Sequence, residues 1–144
     1  MAVIALDAYA LVAFLADEPA HDEVKALLRE SCVVTIVNLA ESLDVLGRVY
    51  GIDEDELRRL VDPLVGDALR VDAPPAEDAW MVASLRRRYY DRRERELSLA
   101  DCFLLAAASR LSASVATADP PVASAARDES LGLIALPDRS GRRP

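Results

Sequence analysis

The stretch Val3-Ile4-Ala5-Leu6-Asp7 places four apolar residues directly before a carboxylate. An apolar run of this length is typical of a strand buried on both faces of a parallel sheet. The next nine residues, 8–16, are all apolar or aromatic and predict a helix that follows at once. The opening of the chain therefore predicts a strand-then-helix unit with an acidic side chain at the junction.

The same alternation continues to residue 136. Apolar spacing, turn residues and capping residues predict helices at 21–30, 36–50, 54–65, 76–90 and 99–111, a short alanine-rich helix after Pro121, and strands at 32–34, 68–71, 114–117 and 132–136. In the helix at 76–90, we expect Trp80, Ala83 and Leu85 to lie in the core. Alternating strands and helices predict an α/β fold, a three-layer α/β/α sandwich with a mainly parallel sheet of about four or five strands. Residues 1–137 should form one domain, and the polar residues 138–144 should form a flexible tail.

Composition narrows the class of protein. A chain of 144 residues with 52% hydrophobic content can bury a core without disulfides or metal staples. No apolar run is long enough for a membrane span and no basic leader precedes Asp7, so we expect a cytoplasmic protein. Cys32 and Cys102 lie outside any C-x-x-C spacing and are expected to be small buried hydrophobes. The net charge of −8 means that any contact with nucleic acid must be local.

Four acidic residues are expected to converge. Asp7 and Asp119 each follow a predicted strand, and the carboxyl ends of parallel strands share one edge of the sheet. Glu41 and Asp101 lie in the first turns of helices that follow connections from that edge. Such carboxylates repel one another unless a cation neutralises them, and Mg²⁺ prefers oxygen ligands. Alternatively, each acid is a helix cap or a surface group, for which Ser98 followed by Asp101 is the clearest case.

Four short motifs occur in the order in which one known family has them. They are Val3 to Asp7, Asn38-Leu-Ala-Glu41, Leu97-Ser-Leu-Ala-Asp101 and Thr117-Ala-Asp119. With them the chain resembles, from Val3 to Leu136, the PIN domain, and within that family the VapC toxins of type II toxin–antitoxin pairs. The resemblance implies that Asp7 and Asp101 bind Mg²⁺, for which Mn²⁺ is a substitute. It also implies that Asp119 binds the metal or holds a water molecule, that Glu41 orients metal-bound water, and that Thr117 and Asn38 support these acids.

The resemblance further implies an activity and partners. It implies a magnesium-dependent endoribonuclease that hydrolyses RNA with metal-activated water, leaving a 5′-phosphate and a 3′-hydroxyl, and it implies a VapB-like antitoxin and a homodimer. His21 is the only histidine, which excludes mechanisms that need two imidazoles. Ala8 is a departure, because the family often has Thr or Ser after the first Asp.

Arginines that precede the helix of Asp101 are candidates for contacts to the RNA backbone, and Tyr89 and Tyr90 could stack on bases. A solvated helix face followed by a charged loop is the competing interpretation. The arginines are Arg86, Arg87, Arg88, Arg92, Arg93 and Arg95.

Other function classes are weighed against this one. A catalytically silent PIN fold that binds RNA or protein is the main alternative, although the four acids are intact. Haloacid-dehalogenase-like phosphatases need a second Asp where Tyr9 stands, and a response-regulator receiver needs a late lysine, whereas the only lysine is Lys25.

Overall fold

The computed structural model describes residues 2–144 and contains a five-stranded sheet with seven helices in that range. The strands are β1 (Val3–Leu6), β2 (Ser31–Thr35), β3 (Leu69–Asp72), β4 (Ser114–Thr117) and β5 (Leu133–Ala135). The helices are α1 (Ala8–Leu15), α2 (His21–Leu27), α3 (Ile36–Arg48), α4 (Glu54–Val61), α5 (Ala76–Tyr89), α6 (Leu99–Leu111) and α7 (Pro120–Asp128). All neighbouring strands are parallel, in the order β3-β2-β1-β4-β5. The predicted fold class is confirmed.

Strand β1 lies at the centre of the sheet and contributes to both faces. Ile4 and Leu6 pack with residues of α1 and α2, whereas Ala5 packs with residues of α5, α6 and α7. This follows from the alternation of side chains along a strand, and it explains why the whole run is apolar. The two core clusters on either face of the sheet produce the three predicted layers.

Side-chain caps fix three of the junctions between a strand or loop and the next helix. Asp7 caps α1 by accepting a hydrogen bond from the backbone of Ala10, and Thr35 caps α3 in the same way. Ser98 caps α6 through a reciprocal capping box with Asp101. Caps satisfy backbone N–H groups that have no partner inside the helix, so these junction residues are held in one orientation.

The buried residues of helix α5 differ from those that the sequence predicts. Leu85 is buried, as predicted, but Trp80 is 76% exposed and Ala83 is also exposed, so these two expectations were wrong. The buried face consists of Asp78, Val82 and Leu85, spaced four and three residues apart. Trp80 and Ala83 lie on the opposite side of the helix, which the sequence alone does not identify because apolar residues occur on both sides.

Two helices end earlier than predicted. Helix α2 ends at Leu27 rather than near residue 30, and α4 ends at Val61 rather than near residue 65. Pro63 lacks the backbone N–H that would continue α4. Within residues 2–144, no helix combines the length and apolar character required to cross a membrane.

The last residues of the chain lie against the domain. The guanidinium of Arg143 pairs with Glu23 and donates to the carbonyl of Ala135 in β5, and Arg139 lies over the ring of Tyr50. Whether residues 138–144 are flexible stays a prediction. Cys32 and Cys102 are free and buried, as predicted.

Candidate active site

Asp7 lies at the end of the central strand and is 5% exposed. Its carboxylate accepts a hydrogen bond from the Ala10 N–H at 2.7 Å and another from the hydroxyl of Thr117. Burial raises the pKa of Asp7 to about 7 and outweighs these hydrogen bonds, which lower it, while the charges of Asp101 and Asp119 raise it further. Asp7 therefore carries a poorly solvated carboxyl group in a fixed position.

Thr117 links two of the predicted acids. It lies at the end of β4, next to β1, and is fully buried. Its hydroxyl group donates to the carboxylate of Asp7, and its oxygen accepts from the backbone N–H of Asp119 at 3.0 Å. Burial raises the pKa of Asp119 to about 6, and the charges of Asp101, Glu41 and Glu96 add to this effect. The hydroxyl of Thr117 thus connects Asp7, after β1, with the backbone of Asp119, after the adjacent strand β4.

Asp101 has the cap that the sequence suggested. Its carboxylate accepts from the Ser98 N–H at 2.9 Å, and its own N–H donates to the Ser98 hydroxyl at 3.0 Å. Burial nevertheless raises the pKa of Asp101. The pKa of Glu41 is raised by desolvation and by the charges of Asp101 and Asp44. Capping and participation in the acidic cluster are therefore compatible for Asp101.

Three of the four predicted acids line one cavity, which we call the acidic cavity. Asp7 is buried and is coupled to this group through the charges of Asp101 and Asp119. Glu96 also lines the cavity and was missed, because it lies in a stretch that the sequence analysis treated as a charged loop; its place next to the Leu97-to-Asp101 motif was the available signal. The lining residues are Glu41, Arg86, Tyr90, Glu96, Leu97, Ser98, Asp101 and Asp119.

The donor chemistry of this cavity suits a hard divalent cation, since it offers carboxylate oxygens and neither imidazole nor thiolate. Among residues 2–144, no three His, Cys, Asp or Glu side chains are already arranged as a metal site. The carboxylate of Asp7 instead accepts a hydrogen bond from the backbone N–H of Ala10, and that of Asp101 accepts one from the backbone N–H of Ser98. Side-chain rotations at this edge are therefore needed before several carboxylates can share one ion.

Helix α3 is attached to the site by buried polar side chains. Asn38 donates to the carbonyl of Ala100 at 3.3 Å and accepts from the hydroxyl of Thr35. Ser42, which the sequence analysis did not single out, donates to the carbonyl of Ala8 at 3.1 Å. Ala8, the residue after Asp7, has no hydroxyl group, but its backbone carbonyl is bound by the hydroxyl of Ser42 from α3.

The comparisons with known proteins identify the family of this chain. A family model described as "PIN domain" matches residues 4–128. The chain belongs to the PIN-domain family. No curated protein matches the sequence of this PIN domain.

Solved structures share the fold at low sequence identity. VapC20 of Mycobacterium tuberculosis, described as a sarcin–ricin loop cleaving toxin, has a TM-score of 0.68 and 20% identity over 85% of this chain and 94% of its own. VapBC2 from Rickettsia felis, bound to a DNA fragment from its promoter, has a TM-score of 0.65 and 15% identity over 92% and 97%. FitAcB from Neisseria gonorrhoeae has a TM-score of 0.61 and 24% identity over 91% and 96%. Identities this low show the common fold alone.

The six arginines suggested for RNA contacts are not equivalent in this PIN domain. Arg88 pairs with Glu129 and Arg95 pairs with Asp128, just beyond and at the end of α7. Arg86 is the one arginine of the six that lines the acidic cavity. Arg87 lies on the exposed side of α5, and Arg92 and Arg93 are exposed in the loop after it.

Proposed function

We propose that this PIN domain is a magnesium-dependent endoribonuclease. The observation that carries the proposal is the linked pair Asp7 and Asp119, which the Thr117 hydroxyl holds at the ends of adjacent strands, with Asp101 coupled to both by charge. Uncompensated carboxyl groups of this kind favour a divalent cation, because its charge offsets the desolvation and the mutual repulsion that raise their pKa values. Asp7, Asp101 and Asp119 would hold the ion, and Mn²⁺ is expected to substitute for Mg²⁺.

Other residues of the chain would orient the attacking water and the metal ligands. Mg²⁺, when bound, supplies positive charge for the scissile phosphate and lowers the pKa of a water molecule. Glu41, on the rim of the cavity, would accept a hydrogen bond from the attacking water and orient it. Thr117 and Asn38 would hold Asp7, Asp119 and the start of α6 in place, because orientation of ligands by their neighbours sets metal affinity. Attack by water on RNA would leave a 5′-phosphate and a 3′-hydroxyl.

The biological role we propose is that of the toxin in a type II toxin–antitoxin pair. The support is the description of VapC20 as a toxin and the presence of antitoxin-containing assemblies among the structural neighbours. A VapB-like antitoxin would then bind and inhibit this chain, which would act as a homodimer in the cytoplasm. A catalytically silent PIN fold that binds RNA or protein is the alternative, and no feature of the described cavity favours it.

The test is cleavage of total RNA by the purified chain, without any partner, in Mg²⁺ and in EDTA. Cleavage that requires Mg²⁺ and is absent in Asp7→Asn supports the proposal, and sequencing of the cut ends identifies the RNA and the end chemistry. Cleavage that continues in EDTA, or cut ends with cyclic phosphates, contradicts the proposed mechanism. Equal activity of the wild type and Asp7→Asn would favour the silent module and a contaminating nuclease.

A further inference from the structure

A second cavity lies directly beside the acidic cavity. Its lining is Ala83, Arg86, Arg87, Tyr90 and Leu99, and we call it the flanking pocket. Arg86 and Tyr90 line both cavities and so form the wall between them. A ligand that extends beyond the acidic cavity on this side must therefore pass the Arg86–Tyr90 wall.

Arg86 and Tyr90 stack on each other, and a hydrogen bond to the backbone fixes the position of Arg86. The guanidinium of Arg86 lies over the ring of Tyr90, with 4.7 Å between its central carbon and the ring centroid. Its Nε donates to the carbonyl of Leu97 at 3.2 Å. Within the described chain, the two terminal amino groups of Arg86 have no hydrogen-bond partner. These groups suit a phosphate, which binds to the fork of an arginine side chain.

The other side chains of the flanking pocket complement a nucleotide. Tyr90 and Leu99 are 41% and 53% exposed, which is high for large hydrophobic side chains. Exposed tyrosine rings and arginine planes are the surfaces on which unpaired bases stack. Arg87 adds a second positive charge, and no acid of residues 2–144 lies within ion-pair distance of either Arg86 or Arg87.

The distribution of charge favours phosphate binding at the flanking pocket over binding elsewhere on the surface. The chain has a net charge of −8, and the acidic cavity repels phosphate when it holds no cation. Arg88 and Arg95 are already neutralised by Glu129 and Asp128. Arg86 and Arg87 of the flanking pocket, by contrast, have no ion pair within residues 2–144.

We infer that the flanking pocket binds the nucleotide next to the scissile phosphodiester of a single-stranded RNA. Its base stacks on the Arg86–Tyr90 wall and contacts Leu99, while Arg86 and Arg87 bind its phosphate. This inference rests on the proposed function for the identity of the ligand. It assigns to α5 a role in substrate binding that is separate from the metal-binding acids.

The test measures RNA binding without cleavage. Asp7→Asn in EDTA is titrated against a fluorescent single-stranded RNA of about 10 nucleotides, and the affinity is followed by anisotropy at several salt concentrations. On this background, Arg87→Ala should weaken binding and reduce the slope of log affinity against log salt by about 1. Tyr90→Ala should weaken binding about tenfold, whereas Tyr90→Phe should retain it, because stacking needs the ring and not the hydroxyl.

The matched control is Arg59→Ala, which removes the same charge from α4, where Arg59 pairs with Glu56. Equal effects of Arg87→Ala and Arg59→Ala would overturn the inference, since only the net charge would then matter. Circular dichroism confirms that each variant is folded.

Three further outcomes separate this inference from its alternatives. If Tyr90→Ala changes the mass measured by light scattering but leaves RNA affinity unchanged, the pocket is an interface with a second copy and the inference is wrong. If the wild type cleaves RNA in Mg²⁺ while the Tyr90 and Arg87 variants bind normally, the inference fails and the proposed nuclease function stands. If the wild type neither cleaves nor binds RNA, both fail.

Discussion

Carboxyl groups in two regions of the molecule have pKa values displaced in opposite directions. At the carboxyl edge of β1 and β4, burial raises the pKa of Asp7 to about 7 and that of Asp119 to about 6. Just after α7, Glu129 has a lowered pKa, because the Tyr89 hydroxyl donates to it and Arg88 pairs with it. The difference lies in what the fold provides beside each acid. Glu129 has its cation within the chain, whereas no Lys or Arg of residues 2–144 forms an ion pair with Asp7 or Asp119.

The largest effect should follow from replacing Asp7 with Asn. The amide oxygen can still accept from Ala10 and the amide group can still bond with Thr117, so the fold is retained. Cleavage of RNA in Mg²⁺ should fall by at least about 100-fold, because a principal ligand loses its charge. Urea unfolding in EDTA at pH 8 should show the variant to be more stable than the wild type, by on the order of 2 kcal/mol.

That combination separates a lost function from a lost fold. A variant that is both inactive and less stable would contradict the assignment of Asp7 as a buried, uncompensated charge.

The second prediction concerns the pH dependence of stability without metal. A carboxyl group whose pKa is raised on folding stabilises the protein fully below its ordinary pKa of 3.8, and this contribution is lost as the pH rises through the folded value. Stability in EDTA should therefore decrease from about pH 4 upwards and level off once the pH has passed the values of about 6 and about 7 for Asp119 and Asp7. The measurement is the free energy of unfolding in urea at each pH.

Addition of Mg²⁺ at pH 8 should restore part of the lost stability, since an ion that binds only the folded state shifts the equilibrium towards it. Stability that does not respond to Mg²⁺ at pH 8 would argue against metal binding at this edge. Asp7→Asn should respond to neither pH nor Mg²⁺ as strongly as the wild type.

A smaller effect is expected from Thr117→Val, which keeps the shape of the side chain and removes its hydroxyl. Cleavage should fall about tenfold, as for other residues that orient metal ligands. The hydroxyl lowers the pKa of Asp7, so its loss should move the acidic limb of the pH–rate profile to higher pH. Thr117→Ser should preserve the profile of the wild type. If Thr117→Val lowers the rate equally at every pH, the hydroxyl affects packing and not the titration of Asp7.

The smallest effect on stability and cleavage is predicted for a substitution of Glu129, the carboxyl group whose pKa is lowered. Glu129→Gln removes the ion pair with Arg88 but leaves a group that can still accept from Tyr89. Because Arg88 is half exposed, the loss should be at most about 1 kcal/mol and should be visible only above the pKa of the glutamate. RNA cleavage should not change. A large loss of cleavage in this variant would mean that Arg88 and α7 belong to the site.

Much of the fold was predictable because local patterns decide it. The run from Val3 to Leu6 is apolar at every position, as expected for a central strand with helices on both faces. The cap Ser98 could be identified because its partner Asp101 lies three residues away. The placement of the acids at one sheet edge followed from the same strand ends.

Local patterns were insufficient where a distant residue decides the environment. Arg88 and Arg95 were grouped with Arg86, but their acidic partners lie 41 and 33 residues further along the chain. Trp80 was expected in the core because it is large and apolar, yet α5 buries the opposite face. Such outcomes depend on how α5, α6 and α7 pack together, which no local pattern specifies.

The last residues of the chain have a consequence for protein engineering. Asp138, Arg139 and Ser140 line a third cavity together with Tyr9 and Asp119. Trimming the chain after residue 137, where the sequence predicts the domain to end, would remove this wall and let water reach Asp119 from a second side. The trimmed protein would then hold a better hydrated and more acidic carboxyl group, so a shortened version designed for crystallisation would not report the pKa that Asp119 has in the full chain.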